Sequence, residues 1–170
     1  YARYFGTQED VEILLNYSVN RLYPELKNST NLALAFLDKV MKVQIELIVN
    51  WMRVGFIHGV MNTDNISISG ETFDFGPCAF MGVYDPSTVY SSIDQNARYS
   101  FENQPKILKW NLARLAETLL NQIHPDEKTA IEFCTSARLT QKPLLCVYYL
   151  FKFFFCNIPD IYFFFKFYKL

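Results

Sequence analysis

Glycine is scarce in this chain. It has six glycines in 170 residues and no G-x-G-x-x-G anywhere, which excludes a glycine-rich loop of the kind that cradles nucleotide phosphates through its backbone. The four cysteines, Cys78, Cys134, Cys146 and Cys156, form no C-x-x-C pair, and neither His58 nor His124 stands at zinc-ligand spacing from them. A zinc staple is excluded, and a chain with room for a core does not need disulfides, so free thiols are expected. Sixteen basic and seventeen acidic side chains leave a net charge of −1, which gives no reason to expect nucleic acid or an acidic membrane surface as partner.

One loop is rich in chemistry instead. His58-Gly59-Val60-Met61-Asn62-Thr63-Asp64-Asn65 is followed nine residues later by Asp74-Phe75-Gly76. Protein kinases carry H-R-D-x-x-x-x-N and then D-F-G, because phosphoryl transfer needs a carboxylate near the attacking hydroxyl and oxygen ligands for magnesium. His58 and Asn65 keep that register. The catalytic Asp position, however, holds Val60, which cannot accept a proton, while a displaced carboxylate, Asp64, precedes Asn65 directly.

The stretch from Gly55 to Asn65, then Phe73-Asp74-Phe75-Gly76-Pro77, Arg98-Tyr99-Ser100-Phe101-Glu102-Asn103-Gln104-Pro105 and Trp110-Asn111-Leu112, closely resembles the selenoprotein O family of protein adenylyltransferases. The resemblance covers residues 1–139. It implies a kinase-like fold that transfers AMP from ATP to protein Ser, Thr or Tyr hydroxyls, with ATP as substrate, Mg2+ or Mn2+ as cofactor, and protein substrates as partners. Carried over residue by residue, it implies that Asp64 is the proton acceptor, Asn65 a metal ligand, and Asp74 a ligand of both metal and ATP. It also implies a mitochondrial location, as in eukaryotic relatives. Where family members commonly carry acidic residues after Phe-Met, this chain has Gly82-Val83. The segment Tyr1–Phe5 resembles one lying well inside family members, so the expectation is a fragment, inactive alone, whose nucleotide-binding lobe lies upstream or is lost. Ordinary phosphoryl transfer and a non-catalytic remnant or binding scaffold are the alternatives.

The expected fold is mainly α with one small β-hairpin, the larger (C-terminal) lobe of a kinase-like α+β fold. Thr7, with Glu9 and Asp10 just inside it, predicts a capped helix to about Arg21, with Val11, Leu14, Leu15, Val19 and Leu22 as its buried stripe. A longer helix over 31–54 buries Leu34, Leu37, Met41, Ile45, Ile48 and Met52 and feeds the His58 loop, with Trp51 as core. Alternation in Ile66–Ser69 and Thr72–Phe75 around Gly70-Glu71 predicts a hairpin that sets Asn65 beside Asp74. Residues 76–106 read as loop. Helices over 107–122 and from an Asp126 cap to about Arg138 follow. His58 is expected to shape the loop through hydrogen bonds, His124 to lie at the surface, and Arg98 to contact phosphate or pair with an acid.

Residues 140–170 are a different text. Between 141 and 170, twelve residues are Phe or Tyr, and Asp160 alone is acidic. A membrane span over Leu144–Tyr162 is nearly long enough, but Lys152, Asn157, Pro159 and Asp160 interrupt it, so no membrane partner is expected. The resemblance stops at the same point, and the working hypothesis is a read-through or misannotated terminus.

Overall fold

The computed structural model describes residues 5–135. Among the described residues four α-helices dominate: α1 (Gln8–Leu22), α2 (Leu32–Val54), α3 (Gln104–Ile123) and α4 (Glu127–Cys134). Three single 3-10 turns punctuate them at Pro24–Leu26, Thr63–Asn65 and Phe101–Asn103. The sheet among the described residues has two short strands, β1 (Phe56–Ile57) and β2 (Ala79–Phe80).

The helix ends follow from local chemistry. At α1, the Thr7 side chain accepts from the Asp10 amide while the Asp10 carboxylate accepts from the Thr7 amide, a reciprocal cap. The same Thr7 contacts hold the Asp10 carboxyl below its ordinary range. Asn31 caps α2 through the Leu34 amide, and Gly55, in the left-handed region at φ 70°, closes it. Asp126 caps α4 through Thr129.

Helices α2 and α3 form the main packing pair and run antiparallel. Gln104, at the start of α3, meets Met52 and Phe56 past the end of α2, while Asn31 at the start of α2 donates to the Ile123 carbonyl, 2.9 Å away at the end of α3. Leu37, Ile48, Ile57, Met61 and Leu108 are fully enclosed between them. Of the stripe expected on α2, Leu37, Met41, Ile48 and Met52 are buried and Leu34 and Ile45 half-buried. On α1, Leu15 and Val19 are buried, but Leu14 is 54% exposed; its position falls at the margin of a narrow stripe. α3 begins at Gln104, earlier than the apolar spacing predicts, because Pro105 is suited to a first turn that has no need of its amide.

The hairpin expected over residues 66–75 is not formed. That segment is held by side chains of the long helix and its approach: Tyr23 donates its hydroxyl to the Ile68 carbonyl at 2.6 Å, Gln44 donates to the Ser67 carbonyl, and Trp51 Nε1 donates to the Thr72 side-chain Oγ1 at 3.1 Å. Burial raises the Tyr23 phenol above its ordinary pKa. The segment therefore lies along α2 as a strap, and alternation in the sequence records half-burial of Ile66 and Ile68 against the core. The antiparallel pair forms elsewhere, with Phe56 opposite Phe80 and Ile57 opposite Ala79.

Gly70 is a point of close approach between the strap and the helix. Its φ is 77°, and a β-carbon there would stand 2.9 Å from Val43 Cβ. Gly70→Ala is expected to combine left-handed strain with this overlap and lower stability by about 2 kcal/mol. Urea unfolding of the chain measures it; an unchanged midpoint would mean that the strap can lift from α2 at no cost.

The helix expected after Asp126 is described only to Cys134, and its further course, the 140–170 segment, Cys146 and Cys156 lie outside the described residues. Cys78 and Cys134 are free thiols, and burial raises the Cys134 thiol. Among the described residues no helix is long and apolar enough to cross a membrane.

Candidate active site

Strand β1 carries the chain out of α2 directly into the His58 loop. His58 is completely buried, and its ring stacks on Trp51 with centroids 5.3 Å apart. Its Nε2 lies 2.8 Å from the Phe73 carbonyl and its Nδ1 3.4 Å from the Val60 amide. A carbonyl accepts and an amide donates, so the neutral ring carries its proton on Nε2. The imidazole is thus a bridge between the loop and the residue immediately before Asp74. This is the shaping role expected for it, performed by hydrogen bonds to two backbones.

Val60 contributes main chain only. Its amide donates to His58 and its carbonyl accepts from Asn65 Nδ2 at 3.0 Å. Asp64 sits in the 3-10 turn Thr63–Asn65, closed by the Asn65 amide on the Asn62 carbonyl at 3.0 Å, and its side chain is exposed. A short exposed turn places a carboxylate where a second molecule can reach it.

Asn65 and Asp74 are brought together. Asn65 Nδ2 donates to Asp74 Oδ2 at 2.8 Å. Asp74 has φ 56°, a left-handed backbone that Asp tolerates better than most residues and that turns the chain sharply at the end of the strap. The proximity was expected from a hairpin; it arises from the His58 bridge at one side and the left-handed turn at the other.

The donor set suits a hard divalent cation. Asn65 spends its amide nitrogen on Val60 and Asp74, which leaves Oδ1 without a hydrogen-bond partner among the described residues, beside the exposed Asp74 carboxylate. No group of three or more His, Cys, Asp or Glu residues that could hold a metal ion occurs among the described residues. Magnesium usually takes one or two protein carboxylates and completes its shell with water and phosphate oxygens, so two adjacent oxygens fit it better than they would zinc.

Three residues without an assigned role in the sequence hold this loop. Gln104, fully buried, accepts from the His58 amide at 3.1 Å and donates to the Phe56 carbonyl at 2.9 Å. Asn111 Nδ2 donates to the Met61 carbonyl at 3.0 Å. The Tyr99 hydroxyl donates to Asn62 Oδ1. All three lie in the quoted Arg98–Pro105 and Trp110–Leu112 stretches; for Gln104 and Asn111 the available signal was an amide on an otherwise apolar helix face, and for Tyr99, in the loop before that helix, there was none.

Arg98 makes no ion pair among the described residues. Its guanidinium lies 4.9 Å over the Trp110 ring and 5.7 Å from that of Tyr99. His124 is half-buried, contrary to expectation, because its ring packs edge-on against Phe133 and its Nδ1 accepts from the Asp126 amide. Gly82 and Val83 are exposed.

Beside this metal-suited Asn–Asp pair and its exposed carboxylate stands a match over most of the chain: residues 1–142 fit the family described as "Protein adenylyltransferase SelO". The chain belongs to that family. Similar proteins include the Pelagibacter ubique "Protein nucleotidyltransferase YdiU", 60% identical over 128 residues, which are 75% of this chain and 26% of that protein. The Rhizobium rhizogenes protein of the same name is 59% identical over 127 residues, 75% of this chain and 25% of its own length. The Anoxybacillus flavithermus one is 53% identical over 132 residues, 78% of this chain and 28% of its own. The chain therefore spans roughly a quarter of the length of these relatives.

Proposed function

We propose that the protein carrying this chain transfers AMP from ATP to Ser, Thr or Tyr hydroxyls of other proteins, and that residues 5–135 are part of the larger lobe of a kinase-like fold. The observation that carries this reading is the 2.8 Å contact between Asn65 and Asp74, held by the His58 bridge, with Asp64 exposed in the adjoining turn. Family membership supplies the reaction class, and the relatives' printed names agree with it.

In this mechanism Asp64 holds the target hydroxyl and takes its proton as the oxygen attacks the α-phosphorus of ATP. The new P–O bond forms there, the bond to the β-phosphate breaks, and pyrophosphate leaves. Asn65 and Asp74 would hold Mg2+ or Mn2+, which offsets charge on the phosphate oxygens. Asp74 additionally faces the nucleotide. Val60, standing where a kinase has its catalytic Asp, leaves proton acceptance to Asp64.

The test is incubation of the protein, expressed in full, with a protein acceptor and ATP labelled at either the α- or the γ-phosphate. Label from the α-position alone on the acceptor is the expected result. Label from the γ-position would replace this reading by phosphoryl transfer, and label from neither would mean a non-catalytic remnant.

A further inference from the structure

Asn62 precedes the turn that carries Asp64, at the position where an Asn side chain ordinarily caps the turn behind it. It makes no such cap. Its Oδ1 instead accepts from the hydroxyl of Tyr99, thirty-seven residues further along the chain. A capping side chain has been diverted to a distant partner, and that partner is itself firmly held.

Tyr99 is fixed from three directions. Its amide donates to Asp94 Oδ2 at 2.7 Å while the Arg98 amide donates to Asp94 Oδ1 at 2.9 Å, so one carboxylate clamps both backbones. Its ring packs against the hydrophobic core, and the Arg98 guanidinium lies over it and over Trp110 of α3. One residue before Asn62, the Met61 carbonyl is held by Asn111, also of α3. The start of the Asp64 turn is thereby tied to α3 through Asn111 and to the loop before α3 through Tyr99, and its end to Asp74 through Asn65.

We propose that Tyr99 is a positioning residue for the Asp64 turn: its hydroxyl, acting through Asn62, fixes the direction in which Asp64 meets the acceptor hydroxyl. The inference rests on the reading of Asp64 as proton acceptor. A phenol is suited to this work, because the ring is anchored by packing and only the terminal hydroxyl reaches the loop. Loss of that hydroxyl leaves the fold intact and lets an exposed turn reorient.

Two measurements test it. In the full protein, Tyr99→Phe is expected to lower kcat for AMP transfer about tenfold with KM for ATP within twofold, since misorientation of a reacting group affects the transition state more than nucleotide binding. Asn62→Ala should show the same loss, and Tyr99→Phe combined with Asn62→Ala should lose no more than Asn62→Ala alone, because the two act in series. In the 170-residue chain, amide hydrogen exchange of Asn65 should quicken about tenfold in Tyr99→Phe while the amides of α2 are unchanged. Unchanged kcat, multiplied losses in the double variant, or unchanged Asn65 exchange each overturns the proposal. Asp64→Ala separates the two levels: if it inactivates while Tyr99→Phe does not, the positioning role alone falls; if it retains activity, the assignment of Asp64 falls and takes this inference with it.

Discussion

Asp74→Ala, in the full protein, is expected to reduce AMP transfer by about three orders of magnitude or more, read as α-label on an acceptor protein. Charge stabilisation by a preorganised site is commonly the largest single contribution to such a reaction. Asp74 is the carboxylate that would hold the divalent cation with Asn65, and among the described residues no group of three or more His, Cys, Asp or Glu able to hold a metal ion stands in to replace it. Asp74→Asn is the sharper variant, since it keeps the shape and removes the charge, and it should be nearly as damaging. Asp74→Asn should leave thermal stability almost unchanged, because the side chain is exposed and Asn tolerates the left-handed backbone as Asp does, whereas Asp74→Ala adds left-handed strain and should lower stability by about 1 kcal/mol. Labelling retained in either variant would remove Asp74 from the site.

Gln104→Ala should have the largest effect on stability. Its side chain is completely buried and answers two backbone groups at once, the His58 amide and the Phe56 carbonyl. Truncation leaves both without a partner inside the core. An orphaned buried group costs about 1–3 kcal/mol, so the expected loss is about 3 kcal/mol, with a further contribution from the space left behind. Denaturant unfolding of the 170-residue chain measures this. A loss below about 1 kcal/mol would show that water reaches β1 through the gap, and the clamp would then be dispensable to the fold.

Much of the helical framework was legible because its signals are local. Thr7 with Asp10, Asn31, Gly55 and Asp126 mark helix ends through hydrogen bonds that span three or four residues, and the α2 stripe repeats with the helical period. The strap over residues 66–73 was misread because alternation reports half-burial, and half-burial against a helix looks the same as half-burial against a strand. What distinguishes them are Tyr23, Gln44 and Trp51, polar atoms on residues remote in sequence that meet the strap only in the folded chain. The juxtaposition of Asn65 and Asp74 was legible through register, but its cause was not. Leu14, exposed on α1, shows the limit of periodicity: spacing identifies a face without giving its width. Gln104, Tyr99 and Asn111 were visible as letters of shared motifs, and only the tertiary contacts gave them tasks.

His58 sets a length as well as a shape. The two backbones that it joins are those of the loop bearing Asn65 and the strap bearing Asp74, and both ring nitrogens are spent on the join. The gap between these two segments is gauged by the width of one imidazole, stacked against Trp51 so that it cannot tilt freely. A side chain too short to touch both backbones would leave the carboxamide and the carboxylate at whatever separation the loops happened to adopt. In this chain the histidine is a ruler laid between two backbones, and in the proposed mechanism the proton goes to Asp64, outside the contacts the imidazole makes.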